Sequence, residues 1–191
     1  MESSLKLIEN LSNANGISGF EDEVLDVVKK VVKDKLTIKE DSMRNLYLYP
    51  KTFDQDKPVV MLDSHSDEVG FMVKSINANG TLKFVTIGGW SPQNVPAHKV
   101  RIKNSRGKYI KGVVASKPPH FMDEDEKGKL VKIKEMIIDV GASSKKELRE
   151  KYEIEVGAPI IPDVSFEYDQ EDKKNDHRCW LNFKKGNHRK I

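Results

Sequence analysis

The chain has 191 residues, 33% of them charged and 37% hydrophobic, which suits a well-solvated globular protein of one generous domain or two small ones and argues against disorder. Lys and Arg number 33 against 30 Asp and Glu, a net charge of +3 too balanced to mark nucleic acid or an anionic membrane as partner, which leaves small or peptidic ligands. The single Cys179 excludes an intrachain disulfide framework, the N-terminus lacks the pattern of a signal peptide, and no apolar run approaches the about eighteen residues of a membrane span, so a cytoplasmic location is expected.

The opening segment reads as two helices. Leu5, Ile8 and Leu11 share one face of the first, and Val24, Leu25, Val28 and Val31 follow helical spacing in the second. Between them "SGFE" places Ser18 three residues before Glu21, the signature of a capping box at the start of the second helix, with Gly16 and Gly19 bracketing the turn. "LTIKED" and "NLYLYP" then alternate as strands, and "KPVVML" is a continuous apolar run of the kind found in a central strand covered on both faces. These elements make an α/β layer.

From Val69 the pattern changes. "VGFMVKSI", "GTLKFVTIGG", "HKVRIKNSRGKYIKGVVAS" and "KEMIIDVG" are short strands joined by glycine turns, with hairpin signals at Asn79-Gly80 and at "NSRGK". They predict a small antiparallel barrel or sandwich. "SSKKELREKY" supplies one helix capped by Ser143 or Ser144 with Glu147 near its start, and "VGAPIIPDVSFEY" returns to strand. The expected organisation is the N-terminal part of an α/β domain over residues 1–70, a β-barrel inserted over 71–164, and a return to the first domain over 165–191. The end of the chain, "EDKKNDHRCWLNFKKGNHRKI", holds seven Lys or Arg against three Asp or Glu and reads as an irregular basic tail more readily than as a binding arm.

The chemistry concentrates in "VVMLDSHSDEVGFMV", residues 59–73. A run that begins and ends apolar carries Asp63, His65, Asp67 and Glu68 in its middle, and burying such groups uncompensated is costly. In an extended chain Asp63, His65 and Asp67 point to one side. The cluster also sits at the carboxyl end of a predicted strand, where α/β sheets gather ligands. A neutral imidazole can bind a divalent metal through one nitrogen while the other donates to a carboxylate, and His65 with Asp67 suits that pairing. Taken as an isolated H-x-D triplet, the same residues are more often turn and surface groups, because two donors do not make a zinc site. Asp63 and Glu68 are expected to satisfy a backbone or neighbouring polar group.

"NANGISGFEDEV", "VVMLDSHSDEVGFMVKSI", "GTLKFVTIGGW", "GKYIKGVVASKPPH", "IIDVGASSKKE" and "VGAPIIP" occur in an order that resembles metallopeptidase family 42, the dinuclear metalloaminopeptidases that include glutamyl aminopeptidases and tetrahedral archaeal enzymes. The resemblance covers roughly residues 5–168. It implies an aminopeptidase-type α/β catalytic domain with an inserted β-barrel, peptide substrates and a homo-oligomer. It implies two divalent ions, zinc or cobalt, that polarise the scissile carbonyl and activate a shared water. His65 then corresponds to a ligand of one metal and Asp67 to the active-site carboxylate that orients it.

The family's remaining pieces are an Asp-Asp-Arg or Asp-Asn-Arg signature, a Glu-Glu pair with the general base, another aspartate and a final histidine. They are expected after the barrel, and this chain does not supply them. Only "DHR" at 176–178 echoes the signature, making Asp176 a candidate for the bridging ligand. The alternative reading is a catalytically inactive remnant whose barrel mediates subunit association. Elsewhere, Gly88, Gly89 and Trp90 read as a turn and a packed indole, His98 as exposed, and His120 as part of an extended structural turn fixed by prolines. His177, Cys179 and His188 match no standard zinc spacing.

Overall fold

A computed structural model describes residues 2–117, 119–124 and 129–168. Helix α1 (Glu2–Asn13) and helix α2 (Asp22–Val32) meet at a sharp corner. The apolar stripe of α1 is half-buried, while α2 buries Val24 and Leu25 and runs out into solvent at Val31. Strands β1 (Leu36–Glu40) and β2 (Leu46–Pro50) form an antiparallel pair. Ion pairs from Lys29 to Glu40 at 2.6 Å and from Arg44 to Asp22 at 2.7 Å tie this hairpin to α2. Such surface pairs add at most about 1 kcal/mol each, so they orient the hairpin more than they stabilise it.

The apolar run before the H-x-D motif does not form the central strand that its composition predicts. Residues 58–67 have no strand assignment, and Val60, Met61 and Leu62 are 86%, 79% and 95% exposed. A buried strand needs neighbours to accept its backbone hydrogen bonds and cover both faces. Among the described residues the only non-barrel strands, β1 and β2, pair with each other.

The remaining strands are β3 (Gly70–Ile76), β4 (Leu82–Ile87), β5 (Lys99–Lys103), β6 (Tyr109–Ala115), β7 (Ile137–Asp139) and β8 (Pro159–Pro162). They close into an antiparallel barrel in the order β3-β4-β7-β6-β5-β8. Closure leaves no free edge, which removes the usual hazard of an antiparallel sheet. Alternation along the strands fills the interior with Phe71, Val73, Leu82, Phe84, Val100, Ile102, Val114, Ile138 and Ile160. Phe71 stacks on Trp90 with centroids 4.5 Å apart and meets Phe84 edge-on at 5.0 Å. Trp90 satisfies its indole N–H on the Gly70 carbonyl at 3.0 Å, so the packed-indole reading of "GGW" agrees with the fold.

Helix α3 (Lys145–Glu150) packs Leu148 into the barrel core and starts on a side-chain cap. Ser144 Oγ accepts from the Glu147 N–H at 3.1 Å, and Glu147 Oε2 accepts from the Ser143 N–H at 2.9 Å. Of the two serines, Ser144 is therefore the cap. His98 is half-buried with its ring edge-on to Trp90 at 5.4 Å, not exposed as its sequence context suggests. His120 is exposed in a short 3-10 turn, Pro119–Phe121, in place of an extended one.

The chain enters and leaves the barrel beside the same corner. Before β3, the Glu68 N–H donates to the Gly16 carbonyl at 2.6 Å. After β8, the Phe166 N–H donates to Asn13 Oδ1 at 2.8 Å. No helix among the described residues is long and apolar enough to cross a membrane.

Candidate functional site

The turn between α1 and α2 presses directly on the H-x-D segment. Ile17 and Glu68 form a parallel bridge, and the Gly16 N–H reaches Glu68 Oε1 at 3.4 Å, so the buried Glu68 carboxylate caps the turn, as expected of a residue flanking the motif. Two glycines make this approach possible. A Cβ on Gly16 would lie 2.6 Å from Val24 Cγ2, and one on Gly70 would lie 2.3 Å from Ile17 Cγ2 and 2.7 Å from the Ile160 carbonyl oxygen. Deeper in, Asn15 donates through its backbone and side chain to Glu23 Oε2 at 3.1 and 2.8 Å.

On this platform His65 and Asp67 come together. His65 Nδ1 lies 2.9 Å from Asp67 Oδ1 and 3.1 Å from the Asp67 carbonyl oxygen. The second carboxylate oxygen, Oδ2, accepts from the Ser18 hydroxyl. That hydroxyl, and secondarily the imidazole, hold the Asp67 carboxyl below its ordinary pKa against the opposing effect of burial. An ionised carboxylate only accepts, so Nδ1 carries the ring proton and the lone pair of neutral His65 is on Nε2. The His65 side chain is 81% exposed, which leaves Nε2 open to an incoming ligand.

This donor set fits one coordination position of a divalent ion. An imidazole oriented from behind by a carboxylate is the usual arrangement for a histidine ligand. It does not make a closed site: among the described residues no three His, Cys, Asp or Glu side chains converge. Asp63 is exposed beside the motif. Asp176, like His177, Cys179 and His188, lies outside the described residues.

Sequence reasoning missed Ser18 as a member of the site. It assigned Ser18 to a capping box, yet α2 begins at Asp22 with no side-chain cap bond at Glu21, whose own carboxylate takes the Gly19 N–H at 2.9 Å. The polar residues of "NGISGFE" carried a signal of local structure, but not of which distant group the serine would meet.

A six-stranded barrel whose two ends adjoin a helical corner beside an H-x-D segment is an architecture found in solved aminopeptidases. The TET aminopeptidase of the marine sediment archaeon Thaumarchaeota archaeon SCGC AB-539-E09 has this fold, with a TM-score of 0.83 at 36% identity over 88% of this chain and 47% of that one. The putative aminopeptidase FrvX of Escherichia coli K12 is 36% identical over 170 residues, 89% of this chain and 47% of the relative. The lysyl aminopeptidase of Pyrococcus furiosus is 35% identical over 152 residues, 76% of this chain and 42% of the relative.

The chain belongs to the M42 glutamyl aminopeptidase family, whose pattern matches residues 45–178. It spans about half the length of the curated relatives it matches. The architecture is accordingly an aminopeptidase-type α/β domain, present in part, with an inserted antiparallel barrel.

Proposed function

We infer that this chain carries one metal-ligand unit and the barrel of a metal-dependent aminopeptidase that removes N-terminal residues from peptides. The observation that carries this reading is the His65–Asp67 couple at 2.9 Å, with Nε2 directed away from its carboxylate partner. His65 would hold a divalent ion, zinc or cobalt, through Nε2, and Asp67 would keep the ring in that tautomer and raise its basicity. Such ions supply Lewis acidity at the scissile carbonyl and a more acidic bound water. Residues 1–70 belong, in this reading, to the catalytic domain, 71–164 to the inserted barrel and 165–191 to the return, with Asp176 as a weak second ligand candidate. Action on peptides accords with the relatives being named aminopeptidases, and a cytoplasmic homo-oligomer is part of the same proposal.

The test is metal analysis of the purified protein beside an assay with aminoacyl p-nitroanilides. Bound zinc or cobalt, lost together with hydrolysis in His65→Ala, supports the enzyme. A second reading, a non-catalytic chain whose barrel associates with intact subunits, is favoured by the lack of a third ligand near His65 among the described residues. Absence of tight metal and turnover, with co-elution alongside a full-length relative, would support it instead.

A further inference from the structure

We propose that Ser18 is a positioning residue for His65, acting through Asp67. The inference rests on the metal-ligand reading of His65 and adds a residue from the far side of the α1–α2 corner, 49 positions earlier in the chain.

The two oxygens of Asp67 have divided partners. Oδ1 takes His65 Nδ1 at 2.9 Å and Oδ2 takes the Ser18 hydroxyl. A carboxylate held by one oxygen alone rotates about its Cβ–Cγ bond and lets water compete for the other contact. One held by both has its plane fixed, and with it the direction from which Nδ1 is engaged. The consequence for His65 is chemical. A free neutral imidazole favours the proton on Nε2, the nitrogen that a metal would need, so the opposite tautomer must be enforced by an acceptor at Nδ1. Asp67 is that acceptor and Ser18 keeps it aimed.

Ser18 is itself well placed to do so. Ile17, its neighbour, is fully buried and packed against Gly70, while the bond from the Glu68 N–H to the Gly16 carbonyl locks the turn to the residue after Asp67. Both ends of the Ser18–Asp67 contact thus adjoin residues joined to each other by backbone bonds, Ile17 on one side and Glu68 on the other. The hydroxyl also gives up the helix-capping role its sequence position offers, since α2 starts without a side-chain cap bond.

The experiment uses the whole chain with Ser18→Ala, Ser18→Thr and His65→Ala. The His65 tautomer is read in metal-free protein from the 15N shifts of Nδ1 and Nε2, and affinity is read by titration with zinc and with cobalt. Unchanged barrel resonances establish that each variant is folded. Ser18→Ala is expected to move His65 toward the Nε2–H tautomer and to weaken metal binding about tenfold, the lower end of what loss of an outer hydrogen bond costs a metal site. Ser18→Thr, which keeps the hydroxyl, is expected to retain both properties.

Wild-type tautomer and affinity in Ser18→Ala would overturn the proposal, as would Ser18→Thr behaving like Ser18→Ala. Unchanged metal uptake in His65→Ala would instead overturn the metal-ligand reading, and the tautomer measurement would still judge the link from Ser18 to His65.

Discussion

Tyr109 Oη donates to Glu23 Oε1 at 2.5 Å, joining strand β6 of the barrel to helix α2 across 86 positions of sequence. Burial raises the tyrosine's pKa and the carboxylate adds to the rise. For Glu23, burial acts in the raising direction but is outweighed by the bonds from Tyr109 and Asn15, and the net shift is downward. The pair is a direct polar tie between the helical corner and the barrel.

Tyr109→Phe removes one charge-assisted bond and leaves Glu23 with Asn15. The expected loss is about 1.5–3 kcal/mol, measured by urea denaturation. Glu23→Gln should cost at least as much, because its one amide oxygen cannot accept from both Tyr109 and Asn15 and its NH2 group would face a donor.

Stability should fall in acid. Glu147 is held at about 2, first by Lys151 and then by the Ser143 backbone and hydroxyl, against an ordinary value of 4.5. Glu23 and Asp67 are also lowered. A carboxyl depressed in the folded state stabilises fully above its unfolded pKa and loses that contribution as pH drops through the folded one. The melting temperature should therefore decline from pH 4.5 to about 2, and Glu147→Gln should flatten the lower part of that decline.

Gly70→Ala drives a methyl to within 2.3 Å of Ile17 Cγ2 and 2.7 Å of the Ile160 carbonyl oxygen. The second contact is backbone and cannot rotate away. Overpacking of this kind costs about 1–3 kcal/mol, and calorimetry should record a lower melting temperature. Because Ile17 adjoins Ser18, the His65 resonances should move as well.

Phe71→Ala empties the centre of the barrel. The expected cost is about 3–5 kcal/mol, and Trp90, deprived of its stacking partner, should show a red-shifted emission.

The uncovered run at Val60, Met61 and Leu62 should bind the dye ANS. A Val60→Lys, Leu62→Ser double variant should lose most of that fluorescence with the barrel resonances unchanged.

How much of this was legible in the sequence depends on how local each determinant is. The barrel was readable because its turns announce themselves: Gly80 and Gly107 adopt φ of +83° and +75°, and alternate residues between the turns are apolar. A serine cap at the start of α3 was readable for the same reason, the choice between Ser143 and Ser144 being made only by the fold. Ser18 satisfied the same local rule and broke it, because Asp67 lies within reach only once the chain has folded back. The pairing of His65 with Asp67 could be inferred from a two-residue spacing, whereas Tyr109 with Glu23 could not. The strand expected over "KPVVML" failed for a related reason: hydrophobicity states that a segment wants cover, and does not say whether cover is present.

The ring of six strands shares its hydrogen bonds around a circuit, so no member can peel off without breaking ladders on both sides. The H-x-D segment has no ladder of its own; one parallel bridge and a few side-chain bonds hold it. Amide protons inside the circuit should therefore exchange only on global unfolding, while those around His65 exchange through small, frequent openings. His65 therefore sits on backbone held by fewer bonds than the barrel strand that follows it.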